Sequence, residues 1–119
     1  MAKILLAEDD EYISRMINLR LTIQGHENDL VVNGQEAIDK ALTGDYDLVL
    51  MDMHMPIIDG HEATRTLRNK GYSGLIVAVT ASVLSADSDK AIKSGCDAYI
   101  SKPIGADFED RVEALLDQT

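Results

Sequence analysis

At 119 residues and 45% hydrophobic content, with no apolar run near the ~20 residues a bilayer span needs, the chain fits one globular domain and not a membrane protein. A formal net charge of -10 excludes unaided binding to nucleic acid or to an anionic membrane, both of which need a cationic face, and leaves a protein or a cation as the expected partner. Cys96 is the single cysteine, so no internal disulfide forms and a reducing cytoplasm is the expected location.

The chain opens on Ile4-Leu5-Leu6-Ala7, too short for the apolar region of a signal peptide and read instead as a first strand that stops at Glu8-Asp9-Asp10. From Glu11 the apolar residues Ile13, Met16, Ile17 and Leu21 follow helical spacing, with Asp9 and Asp10 available as caps and Gly25 placed to end the helix. Residues 26–32, from His26 to Val32, form a weaker second strand, best seen in Leu30-Val31-Val32. Asn33-Gly34 then opens a helix carrying Ala37, Ile38, Ala41 and Leu42 on one side, ended by Gly44. Leu48-Val49-Leu50-Met51 is a fully apolar strand that ends abruptly on Asp52, before a loop that Pro56 and Gly60 keep irregular.

The third helix starts at Asp59 or Gly60, runs through Ala63 and Leu67, and stops at Gly71. Leu75-Ile76-Val77-Ala78-Val79 forms a fourth strand closed by Thr80-Ala81-Ser82. The segment from Leu84 to Ser94 is the least amphipathic helix, with Ala91 and Ile92 its clearest inward residues and Gly95 its stop. A brief strand, Ala98-Tyr99-Ile100-Ser101, precedes Lys102-Pro103, and Phe108, Val112, Leu115 and Leu116 repeat at helical spacing to the end. No repeat, low-complexity tract or linker divides residues 1–119, so one domain is expected.

Five apolar strands alternating with five helices predict an α/β fold: a doubly wound, flavodoxin-like (βα)5 domain with a parallel sheet covered on both faces. The common five-stranded order 2-1-3-4-5 sets strands one and three side by side at the topological switch point, so that Asp9 and Asp52 face each other across one crevice. The carboxyl edge then collects Glu8, Asp9, Asp52, Thr80 and Lys102. Taken singly, Asp52 also fits a strand end or turn cap, Thr80 a strand end and Lys102 a surface lysine. Taken together, three close carboxylates need a cation, and oxygen-only ligands suit Mg2+ or Mn2+ better than Zn2+. An acidic metal site with a lysine and a hydroxyl suits phosphoryl transfer, in which a carboxylate attacks in line to give an acyl phosphate. Asp52 is the candidate nucleophile.

Four motifs in order, Leu5-Leu6-Ala7-Glu8-Asp9-Asp10, Leu50-Met51-Asp52-Met53-His54-Met55-Pro56-Ile57-Ile58-Asp59-Gly60, Val79-Thr80-Ala81 and Gly95-Cys96-Asp97-Ala98-Tyr99-Ile100-Ser101-Lys102-Pro103, closely resemble the receiver domain of two-component response regulators. The resemblance spans essentially the whole chain. It implies a signalling phosphoacceptor that assists its own phosphorylation and dephosphorylation and is not an enzyme acting on other molecules. Asp52 would take a phosphoryl group from a phosphohistidine on a sensor histidine kinase or histidine phosphotransfer protein. Asp9 and Asp52 resemble side-chain ligands of Mg2+, Glu8 an acid reaching the metal through water, and His54 a donor of its backbone carbonyl. Thr80 resembles the hydroxyl that moves to the phosphoryl group, Lys102 the lysine that pairs with it, and Tyr99 the aromatic switch residue. The peptide before Pro103 is implied to be cis, aiming Lys102 inward. The implied output is a repacked face of the fourth helix, fifth strand and fifth helix, which binds a downstream protein. Glu8 stands where Asp is commoner in the family, and His54 and Ser82 occupy positions that tune the lifetime of the phosphate.

Three rivals have discriminating features. A cobalamin site needs a glycine where Ile57 stands; a haloacid-dehalogenase-like phosphatase needs an acid where His54 stands; a phosphorylation-independent interaction module would not need the acidic, threonine and lysine set. With no effector segment in view, a single-domain regulator or phosphorelay shuttle is expected.

Overall fold

The computed structural model describes residues 1–80 and 85–117, without the side chains of 85–88; the Ala81 and Ser82 positions singled out above lie outside the described residues. In chain order the elements are β1 (Lys3–Ala7), α1 (Glu11–Gln24), β2 (Glu27–Val31), α2 (Gly34–Thr43), β3 (Leu48–Asp52), α3 (Gly60–Asn69), β4 (Ile76–Thr80), α4 (Ser85–Ser94), β5 (Ala98–Ser101) and α5 (Phe108–Asp117). The strands form one sheet in the order β2-β1-β3-β4-β5, and every neighbouring pair is parallel.

Strand alternation sorts the core into two layers. Leu5, Ala7, Val49, Met51, Ile76 and Ala78 face α2, α3 and α4 through Ala37, Ile38, Ala41, Ala63, Leu67 and Ala91. Ile4, Leu6, Leu48, Leu50, Val77 and Val79 face α1 and α5 through Ile17, Leu21, Phe108 and Val112. Because both faces are covered, β3 and β4 are buried along their whole length, which is why they read as unbroken apolar runs.

Local chemistry sets the helix ends. Asp10, Asn33 and Asp59 are the N-caps of α1, α2 and α3, each accepting the backbone N–H three residues on, and Gly25 closes α1 in the left-handed region at φ 96°. Asp10 is thus used as a cap.

Four sequence expectations shift. β2 comprises Glu27 to Val31, and Val32 lies beyond it and exposed; as an edge strand it pairs only with β1, and its polar residues guard the free edge. β4 begins one residue later than expected and runs through Thr80. Leu42 and Ile92, expected to face inward, are 43% and 46% exposed, because the small residues Ala41 and Ala91 take the positions against the sheet. His26 precedes β2 as a buried tie: its Nδ1 accepts the Ala2 N–H at 3.0 Å, which leaves Nε2 to donate to Glu113 on α5 at 2.7 Å.

Candidate functional site

Parallel strands deliver their ends to one edge, and here that edge is acidic. Asp52 is the last residue of β3, in register with Val79 of the neighbouring β4, and Glu8 and Asp9 follow β1 on the other side. Glu8 and Asp52 are buried while Asp9 is exposed, and one carboxylate oxygen from each lies within 4.8 Å of the others. Lys102, just past β5, completes the cluster with its Nζ 2.9 Å from Glu8 Oε1 and 3.4 Å from Asp52 Oδ1. The His54 backbone N–H donates to Asp52 Oδ1 at 3.2 Å, and the Asp10 N–H donates to Glu8 Oε2 at 3.2 Å.

The charges are strongly coupled. Burial, which penalises the ionised form, and the nearby Asp52 carboxylate raise the Glu8 carboxyl above its ordinary range against the opposing pull of Lys102. Burial alone would lower the Lys102 ammonium, but its hydrogen bond to Glu8 and the charge of Asp52 outweigh it and hold the group above the usual lysine value. Three carboxylates against one ammonium leave surplus negative charge. Glu8 Oε1 is buried and lies 2.9 Å from that ammonium, with no hydrogen bond of good geometry among the described residues. A divalent cation with oxygen preference fits this donor set: hard oxygen ligands, a charge deficit and one exposed carboxylate for entry.

The cluster lines a cleft of about 430 Å3 with His54, Asp10 and Ile13. Thr80 and Tyr99 are not in that lining. Thr80 is fully buried at the end of β4, its carbonyl accepting the Lys102 N–H at 2.7 Å. Tyr99 points outward on β5, 36% exposed, with its carbonyl held by Arg111 at 2.7 Å. The Lys102–Pro103 peptide is cis.

Two glycines do more than loosen the loop after Asp52. A Cβ on Gly60 would stand 2.1 Å from the Asp52 carbonyl oxygen, and one on Gly34 would stand 2.0 Å from the Ile58 carbonyl oxygen. The loop from Asp52 therefore folds back tightly onto the starts of α2 and α3, closed by a Gly60 N–H to Met53 carbonyl bond at 3.1 Å. Sequence reading places Gly60 in an irregular loop but misses this packing role, since close approach leaves no signal beyond the glycine itself. Ile57, in the same loop, has φ 71°, which nothing in a β-branched residue announces.

The sequence model of the response regulator receiver domain matches residues 4–114. A two-component response regulator, ORR41 of Oryza sativa subsp. japonica, is 42% identical over 109 residues, covering 87% of this chain and 85% of that protein. Response regulator ArlR of Staphylococcus aureus is 34% identical over 98% of this chain, which spans only 53% of that relative's length. Among solved structures, the receiver domain of a Francisella response regulator superposes with a TM-score of 0.92 at 28% identity, covering 99% of this chain and 98% of that one. The receiver domain of the Pseudomonas aeruginosa PAO1 sensor histidine kinase PA1611, which has a magnesium ion coordinated in its active-site cleft, superposes at 0.86 with 31% identity, covering 98% and 95%.

Proposed function

The chain belongs to the response regulator receiver family of two-component systems, and from that membership we propose that Asp52 accepts a phosphoryl group from a phosphohistidine with Mg2+ held by Glu8, Asp9 and Asp52. The observation that carries the reading is the juxtaposition of a buried strand-end carboxylate with two further acids and one ammonium, all in a cleft open to a donor.

In the transfer, an Asp52 carboxylate oxygen attacks phosphorus as the P–N bond to the donor imidazole breaks, and the imidazole leaves with a proton. Asp9 and Asp52 would hold the metal directly and Glu8 through water, with the His54 backbone carbonyl as a further donor. Mg2+, or Mn2+ in its place, supplies the charge that lets an anionic phosphoryl group approach three carboxylates. The Lys102 ammonium, already 3.4 Å from Asp52, pairs with the added phosphoryl oxygens. Thr80 bonds the phosphoryl group through its hydroxyl, and Tyr99 turns inward from its present outward position. The face of α4, β5 and α5 then changes and a downstream protein reads it. The upstream partner is a sensor histidine kinase or a histidine phosphotransfer protein, and the setting is the cytoplasm. No helix among the described residues is long and apolar enough to cross a membrane.

Intact-mass measurement after incubation with acetyl phosphate tests this directly. The expected result is a gain of one phosphoryl group that requires Mg2+, is blocked by EDTA and is absent in Asp52→Asn. Uptake by Asp52→Asn would overturn the assignment of the acceptor.

A further inference from the structure

Ile57 holds a backbone conformation that its residue type disfavours, and its own side chain gains no packing from it. Its φ of 71° and the Ile58 N–H to Pro56 carbonyl bond at 2.8 Å make it the centre of a γ-turn in the left-handed region, a strained conformation that a β-branched residue adopts poorly and Gly, Asn or Asp adopts readily. Strain of this kind persists where something else repays it. Packing within the chain does not, because the Ile57 side chain is 79% exposed. Its neighbours hold the turn instead: Ile58 packs against the core and its carbonyl lies against Gly34, while Gly60 closes the loop on Asp52.

The location says what that exposed side chain meets. Ile57 lies in the loop leaving Asp52, on the sheet edge that carries the acidic cleft. A phosphohistidine donor brings an anionic group toward a chain of net charge -10 and a cleft with surplus carboxylates, so long-range attraction does not favour the encounter. Short-range apolar contact on that edge of the sheet is a source of affinity that this repulsion does not oppose. Building on the phosphoacceptor reading above, we propose that Ile57 is an apolar anchor for the phosphodonor protein, seating in a hollow of its surface beside the phosphohistidine.

Two donors separate docking from chemistry: phosphoramidate, a small P–N donor with no surface to dock, and a purified histidine phosphotransfer protein, phosphorylated on its histidine and chosen beforehand because it loads the wild-type chain. Ile57→Asn keeps the left-handed turn and removes the apolar contact; Ile57→Leu keeps the contact. The proposal predicts that both variants load from phosphoramidate within about twofold of wild type. It predicts that Ile57→Asn loses about tenfold or more in transfer from the protein donor, mainly in KM, while Ile57→Leu stays within about threefold. Unchanged protein-donor transfer in Ile57→Asn would overturn it. So would an equal loss with phosphoramidate, which would mean that Ile57 shapes the site itself. Failure of the wild-type chain to load from phosphoramidate and from every phosphorylated histidine phosphotransfer protein tried would instead count against the phosphoacceptor reading.

Discussion

Gly60 carries a demand that only the absence of a side chain meets. A methyl group added there would overlap the Asp52 carbonyl oxygen and stand 2.7 Å from Met53 Cα in the same peptide unit. Neither neighbour is the free end of a flexible side chain, so Gly60→Ala has to move the loop that follows Asp52. The expected cost is about 1–3 kcal/mol of stability, as for other overpacked core positions, and urea denaturation measures it. Gly25, with nothing within 4 Å of an added Cβ, offers the contrast: there the φ of 96° alone resists substitution. Residue types mark such positions in a sequence, but not which of the two reasons applies.

At the scale of elements, helix faces follow from small residues as much as from large ones. The sequence pattern treats Leu42 and Ile92 as inward, yet Ala41 and Ala91 are the fully buried positions and the larger neighbours face out. Close packing of helices against a parallel sheet favours alanine at the contact, so hydrophobicity alone misplaces the face by one residue. Ile92→Ser is therefore expected to change stability by less than about 0.5 kcal/mol. Phe108→Ala, which empties the contact of α5 with the sheet, is expected to cost about 3–5 kcal/mol; thermal or chemical denaturation of the two variants checks both. β1, β3 and β4, by contrast, were legible because burial on both faces leaves an apolar run, whereas β2 was the least legible because it is a mostly polar edge strand with one neighbour.

At the scale of the whole molecule, the sheet order is what turns scattered residues into a site. Glu8, Asp9, Asp52 and Lys102 stand up to 94 positions apart in sequence (102 minus 8), and each reads as ordinary on its own. Parallel pairing of β1 with β3 brings the acids to one edge, and the sequence motifs pointed to that edge because each sits at a strand end. What the motifs do not contain is the balance of charge. The raised Glu8 carboxyl favours the folded state while protonated: that contribution is fully present below its ordinary value of 4.5 and is lost as pH rises through its higher folded value. Without metal, the stability of the wild-type chain relative to Glu8→Gln is thus expected to fall as pH rises above about 4.5. On the proposed reading Mg2+ would reverse the situation by binding only the folded, ionised cluster, so saturating Mg2+ at neutral pH is expected to add about 2.7 kcal/mol of stability at a hundredfold excess over Kd and so raise Tm, and Asp9→Ala is expected to lose most of that gain. An equal shift in Asp9→Ala would move the metal elsewhere.

The proposed chemistry of the whole site reduces to which carboxylate accepts the phosphoryl group. Borohydride reduces an acyl phosphate to the alcohol, so treating the loaded protein and sequencing its peptides by mass spectrometry marks the acceptor as the one aspartate converted to homoserine. The account predicts conversion at position 52 alone, only after incubation with a phosphodonor and Mg2+. Conversion at Asp9 or Asp10, reduction at Glu8, or labelling at Asp52 that persists in EDTA would contradict it.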